Sequence, residues 1–268
     1  MKYAFISQNA DVELKNFISS LGKNIIEIQE THHVYEEISD HPDIYLCTSG
    51  NTLILAKEQI RNVSLQLNAG NTGSLEQAPD CTMESETCAE TLNHYVAYLN
   101  EAMAPIKVVS GSSAIGHKYP NSCIYNGVQL GEHFFHNIAY TDSALLDVIR
   151  NSKYKIINVM QGYTNCNIVV VDENSIITSD MGIARTVREN SPEIDVLIVQ
   201  QGFVQLKGFK HGFLGGASGK IDEHIIFNGN LKQHPDFEAI KTFIEIRNLK
   251  LQYFENYPLT DIGSILGI

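Results

Sequence analysis

Short apolar runs alternate along the chain with polar turns and with stretches whose apolar residues recur at helical spacing. The pattern is clearest from Gly162 to Asp180. The β-branched run Ile168–Val171, the polar Asp172-Glu-Asn-Ser175 and the second run Ile176-Ile-Thr178 predict a hairpin. Asp180 then offers an N-cap for a helix around Gly182–Arg188, and Ile194–Val199 reads as a buried strand. The unit is hairpin, helix, strand.

The same unit can be traced elsewhere. Residues 3–7 predict a strand, Asn9 or Asp11 a cap, Val12, Phe17, Ile18 and Leu21 a helix face, Gly22 its left-handed stop, and Asn24–Ile28 a strand. This first unit lacks one hairpin strand. A second hairpin is expected from His41–Cys47 and Thr52–Ala56 about the Ser49-Gly-Asn51 turn. Residues 62–86 are polar and turn-rich and read as a surface insertion, followed by a capping box, Thr87-Cys-Ala-Glu90, a helix through Met103 and a strand at Ile106–Val109. The third unit is expected from Tyr119–Cys123, with a second strand near His133–Asn137, a helix capped by Asp142 and a strand at Lys155–Val159. The fifth begins at His211 with the glycines 215–219 and continues through Lys220–Ile221 and His224–Phe227. A helix with Pro235 at its first position and the strand Leu249–Phe254 complete it. Leu259–Ile268 remains as a lone strand, the piece the first unit is missing. Pairing the two predicts a closed ring, which removes exposed sheet edges. Cys123, Cys166, Ser218 and Ser264 then fall at comparable places in the first strands, at repeat-length separations.

Composition narrows the function. The chain has 268 residues and a net charge of -12, and no basic run, which argues against nucleic acid as a partner. No stretch is long enough to span a membrane, and the N-terminus lacks a signal-peptide pattern. The five cysteines, Cys47, Cys81, Cys88, Cys123 and Cys166, are odd in number and lack CxxC spacing, so a reduced cytoplasmic setting without cofactor or metal is expected. His133 and His136 alternate on a strand and point to opposite faces, which disfavours metal ligation.

A five-fold ring of ββαβ units closed by a C-terminal strand resembles the pentein α/β-propeller of the guanidine-modifying enzymes, in a single domain spanning 1–268. That family includes arginine deiminases, dimethylarginine hydrolases, amidinotransferases and a non-catalytic translation-factor branch. Asp261-Ile-Gly-Ser264 is similar to its final segment, where the enzymes place a Gly-rich turn and a nucleophilic Cys. The resemblance implies acidic residues on the first two units, a His on the third and a Cys near the end. Asp43 matches the first; Asn121-Ser-Cys123, Thr164-Asn-Cys166 and Ser264 stand where the others would fall. The ordinary triad is therefore expected to be absent, since that chemistry needs a thiolate, a carboxylate grip and a proton shuttle.

Two functional classes follow. One is a hydrolase or transferase on a guanidino or amide small molecule, with Cys166 as a relocated nucleophile and His211 as its base. The other is a catalytically silent small-molecule-binding or protein-interaction pentein, with Cys166 a buried apolar group. In either case Asp43, Asn121, Asn165, Ser218, Asp261 and Ser264 are expected to converge on a central cavity, rimmed by His211 and the glycines 215–219. The ligand identity and oligomeric state are left open.

Overall fold

In a computed structural model of the chain, the backbone is described for residues 1–68 and 86–268; 69–85, and the side chains of 86–88, lie outside the described residues. Most of the expected insertion therefore falls outside them, as do the side chains of Cys81, Thr87 and Cys88.

Among the described residues five three-stranded sheets form, four of them from one hairpin and one following strand. The first joins β1 (Tyr3–Ser7), helix α1 (Val12–Ser20) and β2 (Asn24–Ile28) to the last strand, β15 (Leu266–Gly267). The second holds β3 (Leu46–Ser49), β4 (Thr52–Leu55) and β5 (Lys107–Ser110), preceded by a helical turn, α2 (Pro42–Tyr45), and crossed by α3 (Lys57–Leu67) and α4 (Glu86–Ala102). The third is β6 (Val128–Leu130), β7 (His133–His136), α5 (Ser143–Asn151) and β8 (Lys155–Asn158). The fourth is β9 (Ile168–Asp172), β10 (Ser175–Thr178), α6 (Met181–Asn190) and β11 (Asp195–Ile198). The fifth is β12 (Ser218–Ile221), β13 (His224–Phe227), α7 (Phe237–Glu245) and β14 (Lys250–Gln252).

In every sheet the first pair is antiparallel and the second parallel, the parallel pair being joined through the helical crossover that such pairing requires. The crossover helices bury residues one turn apart: Leu14 and Ile18, Tyr95 and Leu99, Leu145 and Ile149, Ile183 and Val187, Ile240 and Ile244. Asp11, Asp142 and Asp180 cap α1, α5 and α6 as expected, and Gly22 takes φ +72° after α1.

The C-terminal segment closes the ring. β15 pairs antiparallel with β1, Ala4 opposite Gly267 and Phe5 opposite Leu266, and Ile268 exchanges backbone hydrogen bonds with Tyr3. Residues from β3, β6, β9, β12 and β15 together line one central cavity, so the five first strands surround a common axis.

Several boundaries differ from the sequence reading. Residues 62–67 belong to α3, where Ile60 and Val63 are buried, so the polar look of this stretch is that of an amphipathic helix. His41–Tyr45 is not strand; Pro42 starts a helical turn. The first strand of the third unit is Val128–Leu130 instead of Tyr119–Cys123, because Pro120 opens a turn in which the Cys123 N–H donates to its carbonyl. Pro235 precedes the N-cap Asp236, and only Leu266–Gly267 of the C-terminal segment is paired as strand. Val12 is exposed, while Leu14 takes the core position on α1.

Candidate ligand site on the ring axis

Each first strand is entered through a turn, and these turns hold one another by hydrogen bonds. The Asp43 N–H donates to the Gly263 carbonyl at 3.1 Å, and the Asn126 side-chain amide donates to the Asp43 carbonyl at 3.0 Å. The Asn165 N–H donates to the Asn126 carbonyl at 3.0 Å and the Gly216 N–H to the Cys166 carbonyl at 2.9 Å. The Ile262 and Ser264 N–H groups both donate to the Gly216 carbonyl, at 3.1 and 2.7 Å. The belt links all five units.

Such close approach explains two glycines. A Cβ on Gly216 would lie 2.1 Å from Asp261 Oδ1, and one on Gly263 would lie 2.1 Å from the His41 Cβ. Gly263 and Ser264 both adopt positive φ, +72° and +70°, which is strained for the serine.

Inside the belt the side chains form a polar knot around Asp43. The Cys166 thiol donates to Asp43 Oδ2 at 3.0 Å and the Ser264 hydroxyl to the same oxygen at 2.7 Å. The Asn165 amide donates to Ser264 Oγ at 2.8 Å. Asn126 Oδ1 accepts from the N–H groups of Asn165 and Cys166, at 2.8 and 3.3 Å. Asp43 Oδ1 is buried and has no hydrogen-bond partner among the described residues. Burial pushes the Asp43 carboxyl above its ordinary range, against the pull of its thiol, hydroxyl and amide neighbours. The Cys166 thiol is pushed well up, first by burial and then by the nearby Asp43 and Asp261 carboxyls. The proton therefore stays on sulfur.

A second acidic group adjoins the knot. Asp261 accepts from the N–H groups of Phe213 and Gly263, at 2.9 and 3.0 Å, and lies 3.8 Å from His41 Nδ1. Burial raises the Asp261 carboxyl and lowers the His41 imidazole, although Asp261 and Asp40 pull the latter back up.

Of the residues expected to converge, Asp43, Asn165, Cys166 and Ser264 meet in one hydrogen-bonded group, with Asp261 beside it. Ser218 donates to the Gly215 carbonyl at 3.1 Å, the same carbonyl that lies 3.2 Å from the Ser264 hydroxyl. Asn121 does not join them: it is exposed in a loop, and Asn126 holds the equivalent place before β6. The Asn126-Gly127 turn just ahead of the alternating Val128-Gln-Leu130 was the signal for it. Cys123 is likewise outside the repeat register, its thiol donating to Pro120 at 3.0 Å. His211 is not a partner of Cys166; its Nδ1 lies 3.1 Å from the carbonyl of Gly212 and its ring packs edge-on against Phe213. His41 was missed, because it stands at the N-cap of a helical turn that the sequence presented as strand.

The knot forms the base of a cavity of about 300 Å³. Asn165, Gly215, Ser218 and Ser264 line its inner end, Cys47, Val128, Ile168 and Leu266 its walls, and Met1, Gly50, Gln129 and Lys220 the end near the hairpin turns. Thus the cavity is apolar along its length and polar at both ends. His136, a buried imidazole of the third unit, serves the fold: Nε2–H donates to the Cys123 and Gly162 carbonyls, both at 3.0 Å, and Nδ1 faces the Thr141 hydroxyl at 2.7 Å.

Among solved structures the chain resembles SxtG, an amidinotransferase from Microseira wollei in saxitoxin biosynthesis, at 10% identity and TM-score 0.52, over 95% of this chain and 88% of that one. It also resembles DDAH from Pseudomonas aeruginosa, in a Cys-to-Ser mutant complexed with citrulline, at 7% identity and TM-score 0.51, over 94% and 92% of the two chains. A dimethylarginine dimethylaminohydrolase adduct with S-methyl-L-thiocitrulline matches at 8% identity and TM-score 0.51, over 94% and 92%. These likenesses show the pentein fold. No curated protein matches the sequence. No helix among the described residues is long and apolar enough to cross a membrane. A family profile described as "Family of unknown function (DUF6873)" matches residues 5–84 and 79–266. With its five sheets closed by β15, this chain belongs to that family and carries it on the pentein fold.

Proposed function

We propose that the chain is a catalytically silent small-molecule-binding pentein, which takes a ligand into the axial cavity. One observation carries this reading: the Cys166 thiol is buried, donates its proton to Asp43 and has Asn126 as its other side-chain partner. A thiol in such surroundings is a hydrogen-bond donor and a poor nucleophile. Asp43, Asn165, Ser218 and Ser264 are in turn a set of fixed polar groups at the end of an apolar-walled space, the usual make-up of a small-ligand site. Guanidino and amide compounds are the first ligands to try, given what the similar amidinotransferase and DDAH structures are named for. Native mass spectrometry of the purified chain, followed by a thermal-shift screen with arginine derivatives, tests it. A ligand-dependent shift without turnover is expected; product formation would overturn the silent reading.

One feature favours the enzymatic reading. Ser264 stands at strained φ +70° with its hydroxyl 2.7 Å from Asp43 Oδ2, in the segment similar to that of the enzymes' nucleophile. In that case Ser264 Oγ would add to the guanidino or amide carbon as its proton passes to Asp43, and the proton would return to the leaving amine. Amine release that Ser264→Ala abolishes, with a covalent adduct on Ser264, would establish it.

A further inference from the structure

The axial cavity has a charged group at its outer end that the polar knot does not explain. Lys220, on β12, lines the cavity and is half-buried. It is in none of the ion pairs found among the described residues, whereas the Met1 ammonium, also at the cavity lining, lies 3.4 Å from Asp222, which Lys23 Nζ approaches at 2.5 Å. The carboxylates that act on Lys220 are those of Asp172 and Glu173 at the β9–β10 turn, and Asp172 already faces Arg247 at 3.4 Å. Desolvation lowers the Lys220 ammonium more than those carboxylates raise it. An ammonium so placed gains more from a ligand anion than one already paired in water.

At the inner end acceptors outnumber free donors. Ser264 spends its proton on Asp43 and accepts from the Asn165 amide, and Ser218 spends its own proton on the Gly215 carbonyl, so each hydroxyl oxygen keeps a lone pair to offer. Asp43 Oδ1 is unpartnered beneath them.

We infer that Lys220 is the anion-binding group at the mouth of the axial cavity, and that the ligand is a small carboxylate with an N–H donor at its other end. It enters from the face carrying the hairpin turns. The inference rests on the binding reading above and adds to it the entrance, the polarity and the residue that reads the charge. Apolar walls at Cys47, Val128, Ile168 and Leu266 suit a methylene chain between the two ends.

The test uses ω-amino carboxylates of increasing chain length, with the matching ω-amino amides and unsubstituted fatty acids as controls, titrated calorimetrically into the full chain. At least one ω-amino carboxylate should bind, its amide and its des-amino analogue should bind about ten- to a hundredfold more weakly, and Lys220→Met should lose a similar factor. Lys220→Arg should retain most of the affinity. Lys220→Met without ligand should unfold at the wild-type temperature, since no ion pair is removed. As a second readout, reductive ¹³C-methylation of Lys220 should give a resonance that the bound carboxylate shifts. Binding that Lys220→Met leaves unchanged, or binding of the amides as tight as the acids, overturns the inference while sparing the binding proposal. A thermal-shift screen in which neither these compounds nor arginine derivatives bind removes both.

Discussion

Asp43 holds a carboxyl in the ring's interior with neutral donors on Oδ2 and nothing on Oδ1 among the described residues. Its raised pKa sets the sign of its contribution to stability. The folded state favours the protonated form, so the stability it adds is fully present below the ordinary carboxyl range and is lost as pH rises through the folded value. Asp43→Asn, neutral at every pH, should therefore be more stable than wild type at neutral pH, by about 0.5–2 kcal/mol, and should lose that advantage in acid. The same variant should lose ligand binding, which separates a functional carboxyl from a structural one. Urea titrations at two pH values, with and without ligand, measure both. His136 has the opposite sign. Burial lowers its imidazole to about 4, so stability present above the ordinary imidazole range is lost as pH falls towards that value. A shift of this size corresponds to about 3 kcal/mol, and its ring resonances should stay neutral in NMR until near pH 4. For the cysteines, burial pushes Cys47 and Cys123 to about 12 and Cys166 well above its usual value. All three should react slowly and equally with iodoacetamide at neutral pH; fast, ligand-protected labelling of Cys166 alone would support the nucleophile reading.

Among the elements, α5 and α6 are similar helices with different caps. Asp180 accepts from the N–H groups of Gly182 and Ile183 at 2.7 and 2.9 Å and from the Gln161 side-chain amide at 3.3 Å, with no backbone donor from outside its helix end among its hydrogen bonds in the described residues. Asp142 caps α5 through Ala144 at 2.9 Å and also accepts from Ser112 and Ser113, at 3.2 and 2.8 Å, which tethers the chain leaving β5 to the third unit. Asp180→Ala should cost about 1 kcal/mol, the loss of an ordinary cap. Asp142→Ala should cost more, about 2 kcal/mol, because the backbone N–H groups of Ser112 and Ser113 also lose their acceptor. Chemical denaturation of the pair checks the ranking. Both caps were legible in the sequence, since an Asp just ahead of a helical apolar pattern has a local meaning. The tether was not, because its donors lie about thirty residues upstream.

Across the whole molecule, closure depends on a short segment. Ile268 receives the Lys2 and Tyr3 N–H groups at 2.6 and 3.0 Å and returns its own to Tyr3 at 3.1 Å, while Ile262 and Ile265 are buried beside β12. Truncation after Asp261 would expose the edge of β1 and open the turn belt at Gly263 and Ser264. The truncated chain should lose its cooperative thermal transition and aggregate, as unpaired strand edges do. A truncated protein with a wild-type melting curve would show that the ring does not need its closing strand.

By itself the sequence determined the repeat. β-branched runs, Asp caps and one-turn apolar pairs are local properties, so three of the four hairpins, most helices and the orphan strand at each chain end could be read directly, while the first strand of the third unit was placed too early. It also carried the inference that those ends meet, because a lone strand at each end has few other partners. Asp43, Asn165, Cys166 and Ser264 were legible as a set for the same reason, through their places in the repeat. Only the tertiary structure decided which of the small polar residues face the axis. Asn126 replaced Asn121, and Lys220 emerged at the cavity mouth, because a shift of a few residues in a turn changes which side chain points inward. Only there was it decided that Cys166 keeps its proton, since that depends on a carboxyl 123 positions earlier in the chain. Burial and cross-ring contacts set the chemistry of these groups, and neither is encoded within any short stretch of sequence.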